Sequence, residues 1–122
     1  MRVIVCGSRR WDDRKRIADR LFDLGLATEN LECTIVHGDA QGADRIAAQE
    51  AKKLGLLVES HDYRQFISPT CSPKRAPLER NSHMASLGAD LCIAFHRDES
   101  RGTADMIAKA EKAGIPVEVI CQ

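Results

Sequence analysis

The sequence has no surplus of charge of either sign: 18 basic and 18 acidic residues leave a formal net charge of zero. Nothing therefore draws the whole molecule non-specifically to nucleic acid or to a membrane surface, and nucleic acid is not expected as a partner unless a local patch forms. No apolar run approaches the roughly 20 residues of a membrane span, so no membrane association is expected. The opening stretch Met1 to Cys6 is too short for a signal peptide and reads as a strand, which points to a cytoplasmic protein. The five cysteines are odd in number and include no C-x-x-C pair, which excludes a disulfide framework and a zinc site. Cys6, Cys33, Cys92 and Cys121 sit in apolar strand-like runs, where a thiol behaves as a small hydrophobe; Cys71 lies in a polar loop, where exposure is open to it. His37, His61, His83 and His96 show no metal-ligand spacing. No metal and no cofactor are expected. Internal repeats and low-complexity segments are absent as well.

What the chain does have is a regular alternation of apolar runs with amphipathic segments. Arg2 to Cys6 is a short apolar run closed by Gly7 and reads as a buried strand. Asp12 or Asp13 caps a helix whose apolar face is Ile17, Ala18, Leu21, Phe22 and Leu24. Leu31 to His37 is the second strand, a helix from about Ala43 to Leu54 stops at Gly55, and Leu56 to Ser60 is the third strand. His61-Asp62-Tyr63-Arg64 opens a long irregular stretch, and Gln65 to Pro77 shows no periodicity, the mark of a functional or mobile loop. Leu78 to Leu87 follows as a helix with Met84 and Leu87 on its apolar face. Asp90 to Phe95 is a strand, His96 to Arg101 a polar loop, Gly102 to Ala113 a helix, and Ile115 to Cys121 the fifth strand. At 122 residues the chain is expected to form one domain, residues 1–122. Near-continuously apolar strands alternating with helices predict an α/β fold: a Rossmann-like three-layer sandwich around a five-stranded, mostly parallel sheet in the order 3-2-1-4-5.

The stretch that organises the rest is Ile35 to Ala47, in which a strand turns through Gly38-Asp39-Ala40-Gln41-Gly42 into a helix at Ala43-Asp44. Glycines at both ends of the turn allow positive φ and close approach, and the N–H groups of the following helix attract an anion. Two further loops share this layout: Gly7-Ser8-Arg9-Arg10-Trp11-Asp12 and Ser100-Arg101-Gly102-Thr103. In a sheet of the predicted order all three meet at one crevice, beside the point between the first and fourth strands where the winding reverses. The predicted ligand is an anion, and phosphate is the anion such loops suit best. Arg9, Arg10 and Arg101 are able to pair bidentately with phosphate, although one of Arg9 and Arg10 is expected to be merely solvated. Ser100 and Thr103 carry hydroxyls that either bond phosphate or cap the helix. Trp11 either stacks on a base or packs. His37, ending a strand beside the central turn, is the best candidate for a site histidine. Asp39, Asp44 and Asp105 each stand near a helix start, where a carboxylate takes part in chemistry or simply favours the helix dipole.

Together these residues resemble the SLOG superfamily, which includes the Lonely Guy cytokinin-activating phosphoribohydrolases and the DNA-processing protein DprA. Within it the chain is most similar to the small bacterial and phage branch of YspA or cpYpsA-related proteins. The resemblance rests on Val5-Cys6-Gly7-Ser8-Arg9-x-Trp11-x-Asp13, His37-Gly38-x-x-x-Gly42-Ala43-Asp44, Arg80-Asn81-x-x-Met84 and Ser100-x-Gly102-Thr103-x-Asp105-Met106, in the family's order along the chain. It implies a domain that binds a nucleotide or nucleotide-derived ligand, and by family habit a homo-oligomer, most simply a dimer. The helix from Leu78 and the apolar face of the Met106 helix are the surfaces where pairing is expected. In the Lonely Guy enzymes an arginine and a glutamate carry N-glycosidic cleavage. The arginine's segment is similar to Glu79–Met84, so Arg80 would inherit that role. The glutamate's P-G-G-x-G-T-x-x-E pattern is broken here: Met106 stands at the glutamate's place and the P-G-G is replaced by Asp98-Glu99-Ser100. The nearest carboxylate, Asp105, is one position displaced, about 100° around a helix.

Three functions are therefore in play. The first is a binding module for a nucleotide or nucleotide-derived signal, through Gly7, Ser8, Arg9, Trp11, His37, Gly38, Asp39, Gly42, Ala43, Asp44, Asn81, Ser100, Arg101, Gly102 and Thr103. The second is a nucleoside-monophosphate glycosidase using Arg80 and Asp105 as catalytic residues. The third, a DprA-like DNA-binding role, is opposed by the neutral charge and the lack of a basic stripe.

Overall fold

A computed structural model describes residues 1–28, 33–98 and 100–122. Its elements run β1 (Arg2–Gly7), α1 (Arg14–Thr28), β2 (Thr34–His37), α2 (Ala43–Lys53), β3 (Leu57–Ser60), a 3₁₀ turn (Tyr63–Phe66), α3 (Ala76–Ser86), β4 (Leu91–His96), α4 (Arg101–Lys112) and β5 (Val117–Cys121). All strand pairs are parallel and the sheet order is β3-β2-β1-β4-β5, as predicted. Of the second strand's predicted extent, Leu31 and Glu32 lie outside the described residues, as does Glu99 of the loop before α4.

Side chains alternate across a strand, and β1 shows this directly. Val3 and Val5 face a core shared with Ile17, Leu21 and Leu24 of α1 and Ala43, Ala47 and Ala51 of α2. Ile4 and Cys6 face the opposite core, built with Met84 of α3 and Met106 and Ala110 of α4. The sheet is thus covered on both faces, two helices to each. At the head of α1 the side chain of Asp13 accepts from the amide of Arg16 at 3.1 Å, so Asp13 rather than Asp12 is the cap. Helix α2 ends at Lys53 with Leu54 as its C-cap, ahead of Gly55 at φ +78°, a left-handed position that suits glycine.

Four packing expectations need correction. Phe22 and Leu87 are about half exposed, because α1 and α3 bury only the residues that point squarely at the sheet. Cys121, expected among the apolar strand thiols, is exposed at the end of an edge strand, while Cys71 is partly exposed. The stretch from Gln65 to Pro77 is not wholly irregular: it begins inside the 3₁₀ turn, holds an antiparallel bridge between Ser68 and Cys71, and ends within α3. The apolar face of α4 packs against the core, with Met106 fully buried, whereas Leu78 is 40% exposed.

Candidate functional site

Because every strand runs the same way, the loops after β1, β2, β3 and β4 gather at one edge of the sheet. They enclose an open cleft of about 880 Å³. The loops after β1 and β2 are in contact. Gly42 has φ +77° and sits so close to the carbonyls of Ser8 and Arg9 that a Cβ there would lie 2.5 Å from Arg9 O. Gly7 is equally confined: a Cβ would lie 2.6 Å from Phe95 O and would overlap the Cβ of Ala43. Ser8 joins the loops after β1 and β4. Its hydroxyl donates to Arg97 O at 2.6 Å and accepts from Arg97 N at 2.7 Å. The two loops flanking the reversal of winding are therefore stitched together, and the Ser8 hydroxyl proton is committed to backbone.

The central turn is held from inside. Asp44, buried in the first turn of α2, accepts from Gly38 N at 2.9 Å and from Ala40 N at 3.5 Å. Burial raises its carboxyl to about 6, against the opposing pull of these amides and of the Arg80 charge. His37 Nδ1 accepts from Asp39 N at 2.9 Å, which allows Asp39 its left-handed φ of +55°. Burial lowers the His37 pKa, and the ring is a brace for the turn that does not line the cleft. The amides of Gly38, Asp39 and Ala40 are thus committed to the protein. Those of Gln41 and Gly42 make no hydrogen bond among the described residues.

Arg80 enters from α3. Its guanidinium lies flat over Gly38, where a Cβ would come within 2.6 Å of Cζ. Nη1 donates to Gly38 O at 3.0 Å, and Nε and Nη2 share Asn81 Oδ1 at 3.3 and 3.2 Å. It is buried, which lowers its pKa, and no carboxylate is within ion-pair distance among the described residues. Asn81 passes the connection on, its amide donating to Gly102 O at 3.3 Å and to Asp105 Oδ2 at 3.0 Å. Asp105 is in turn paired with Lys109 at 2.9 Å and does not line the cleft. Arg80 and Asp105 are therefore linked through Asn81 but not brought to a common reacting point.

Of the remaining predicted residues, Arg9, Gly38, Asp39, Ser100, Arg101, Gly102 and Thr103 line the cleft. Ser100 Oγ caps α4 by accepting from Thr103 N and from Thr103 Oγ1, so both hydroxyls are in the capping role. Gly102 has open space around it and no steric need to be glycine. Ala43 packs beneath Gly7 in the core. Trp11 is also core: it is 2% exposed, edge-on to Phe95 at 5.3 Å, with its indole N–H donating to Asp13 O. It does not reach the cleft.

A family model described as the YspA, cpYpsA-related SLOG family matches residues 1–63. The Gene 61 protein of Mycobacterium phage D29 is 39% identical over 119 residues, spanning 95% of this chain and 93% of its own. The chain belongs to this SLOG family. Among solved structures, that of DNA processing protein A from Helicobacter pylori, described for its single-stranded DNA binding mode, matches with a TM-score of 0.72 at 19% identity. All of the SLOG chain is covered, but only 66% of the Helicobacter protein, just under two thirds of its length. At that identity the likeness is one of fold.

The expectation that nucleic acid is no partner of this SLOG protein is overturned. A protein of the same fold binds single-stranded DNA, and the charge is unevenly spread. Among the described residues, seven cations and three carboxylates line the cleft of a chain that is neutral as a whole. Net charge averages over the surface, whereas a ligand meets the field of the cleft. Arg10 and Arg97 approach Asp98, Arg97 also meets Asp12, and Arg45 approaches Asp39. Arg9, Lys74, Arg80 and Arg101 have no carboxylate in contact among the described residues.

Arg45, Tyr63, Lys74 and Arg97 line the cleft without having been singled out from the sequence. Arg97 directly follows β4 and Tyr63 stands three residues past the end of β3, both at the carboxyl edge where an open parallel sheet binds ligands, and that rule could have found them. Lys74 carried no signal beyond the length of its loop.

Proposed function

We propose that this protein binds a nucleotide unit, with phosphate seated against the loops after β1, β2 and β4 and Arg80 as its buried anchor. The observation that carries this reading is the buried guanidinium of Arg80, whose hydrogen bonds go only to neutral oxygens while three more unpaired cations share its cleft. A buried charge is costly without an opposite charge, and a phosphate would supply one. Titration calorimetry against AMP, GMP, CMP, UMP and their deoxy forms tests it. Arg80→Gln is expected to weaken binding about 10- to 100-fold, the range of a lost charge-assisted bond. Absence of heat with every nucleotide and folded protein would sink the reading.

A second reading, single-stranded DNA as the source of that nucleotide unit, is favoured by the local surplus of cations and by what the Helicobacter protein of this fold binds. Three to four phosphates met by the unpaired cations would give a slope of log K against log salt of about −2 to −3. An oligodeoxynucleotide whose retention does not depend on salt would count against it. Glycosidic cleavage is not favoured, because Asp105 is ion-paired with Lys109 and does not line the cleft. The described elements serve one sheet, and residues 1–122 are read as one domain. A cytoplasmic setting suits the five free thiols. Among the described residues no helix is long and apolar enough to cross a membrane.

A further inference from the structure

The cleft has a second character besides its glycine loops. Tyr63 opens the 3₁₀ turn that follows β3, and the turn is fixed at its start: Asp62 accepts from Arg64 N at 2.9 Å and holds the Arg64 guanidinium in a two-point ion pair. Phe66, three residues on, packs against His83 at 5.4 Å. Tyr63 does none of this. Its ring lines the cleft, belongs to neither core cluster and has no aromatic partner, and its hydroxyl has no hydrogen bond among the described residues. Pro77 and Leu78, from the first turn of α3, line the same cleft, and Leu78 is 40% exposed. A patch of one aromatic and two apolar residues is thus left uncovered inside an otherwise cationic cleft.

We infer that this wall is a nucleobase platform, with Tyr63 as the stacking surface. The inference rests on the nucleotide reading of the cleft and extends it from the phosphate to the base. The spacing suits it. Two strand separations, about 10 Å, lie between β1 and β3, comparable to the span from a nucleotide's phosphate to its base. The chemistry suits it too, since every base has a π face and an apolar wall beside an anion site fits a ligand that is planar at one end and charged at the other. Tyr63 would then set affinity for the base without touching the phosphate.

The test compares AMP, ribose 5-phosphate and a short oligothymidylate on the full chain and on Tyr63→Ala and Tyr63→Phe, with circular dichroism to verify folding. Tyr63→Ala is expected to weaken AMP roughly 5- to 100-fold, the range of one lost base–aromatic stack, while ribose 5-phosphate binds as before and Tyr63→Phe restores AMP. The same loss with oligothymidylate alone assigns the platform to a base within a strand. AMP and oligothymidylate bound by Tyr63→Ala as tightly as by the natural protein overturn the platform and leave the phosphate site standing. No binding of any of the three by the natural protein overturns the nucleotide reading and the platform together.

Discussion

Four glycines separate two effects that usually come mixed, backbone strain and steric contact. Gly55 has φ +78° but open space where a Cβ would go; Gly7 has an ordinary φ but no space; Gly42 has both φ +77° and no space; Gly102 has neither restriction. Alanine at Gly55 should therefore cost only the left-handed strain, about 1–2 kcal/mol. Alanine at Gly7 should cost only overpacking against Ala43 and Phe95 O, about 1–3 kcal/mol. At Gly42 the two add to about 2–5 kcal/mol. The obstructing atoms there are carbonyls of the loop after β1, which cannot swing aside as a side chain can. Alanine at Gly102, in the first turn of α4, should be neutral or stabilising by up to about 1 kcal/mol. Urea unfolding of the four variants measures this, each kcal/mol moving the midpoint by about 0.3–1 M. A small domain has only about 5–15 kcal/mol in all, so Gly42→Ala should be visibly crippled. Nucleotide affinity should fall with it and not with Gly55→Ala, because only Gly42 displaces the turns that line the cleft. If Gly42→Ala proved no worse than Gly55→Ala, the contact between the first two loops would be refuted.

Three more outcomes can be checked on the same material. Asp44 holds its proton more tightly folded, at about 6, than unfolded, at 3.8, so its contribution to stability is greatest below about pH 4 and is lost as pH rises through 6, by an amount on the order of 3 kcal/mol. Asp44→Asn should remove that decline, and parallel stability profiles for variant and natural protein between pH 4 and 7 would rule the effect out. Trp11→Ala should cost about 3–5 kcal/mol, whereas Trp11→Phe should fold and bind nucleotide with unchanged affinity; a selective loss of affinity in Trp11→Phe would return the indole to the cleft. Ser8→Ala strands the amide of Arg97 and should cost about 1–3 kcal/mol by thermal unfolding, and no measurable change would mean that water replaces the hydroxyl.

The sheet order was legible because each strand is a short apolar run closed by a glycine or a polar turn, and right-handed crossovers leave few arrangements. The gathering of the three glycine loops followed from that order alone. What could not be read was how atoms far apart in sequence divide the work. Ser8 and Thr103 looked like phosphate ligands until the backbone of Arg97 and the oxygen of Ser100 claimed their hydroxyls. Asp105 looked like a substitute catalyst, yet Lys109, one helical turn on, takes its charge. Trp11 sits in a binding motif, but a ring of that size gains more from Phe95 than from water. Charge was the largest misreading, since a count over 122 residues carries no record of which arginines share a cleft.

Arg80 is at rest before any ligand arrives. Two neighbours hold its guanidinium, Gly38 from one loop and Asn81 from its own helix, so the long side chain has no rotamers left to search. Freezing a free arginine takes roughly 2 kcal/mol at the moment of capture, and here folding has already met that cost. Encounters with the cleft should then be limited by diffusion and orientation, at a similar rate for every ligand that carries the right anion. What tells one ligand from another would be how long it stays.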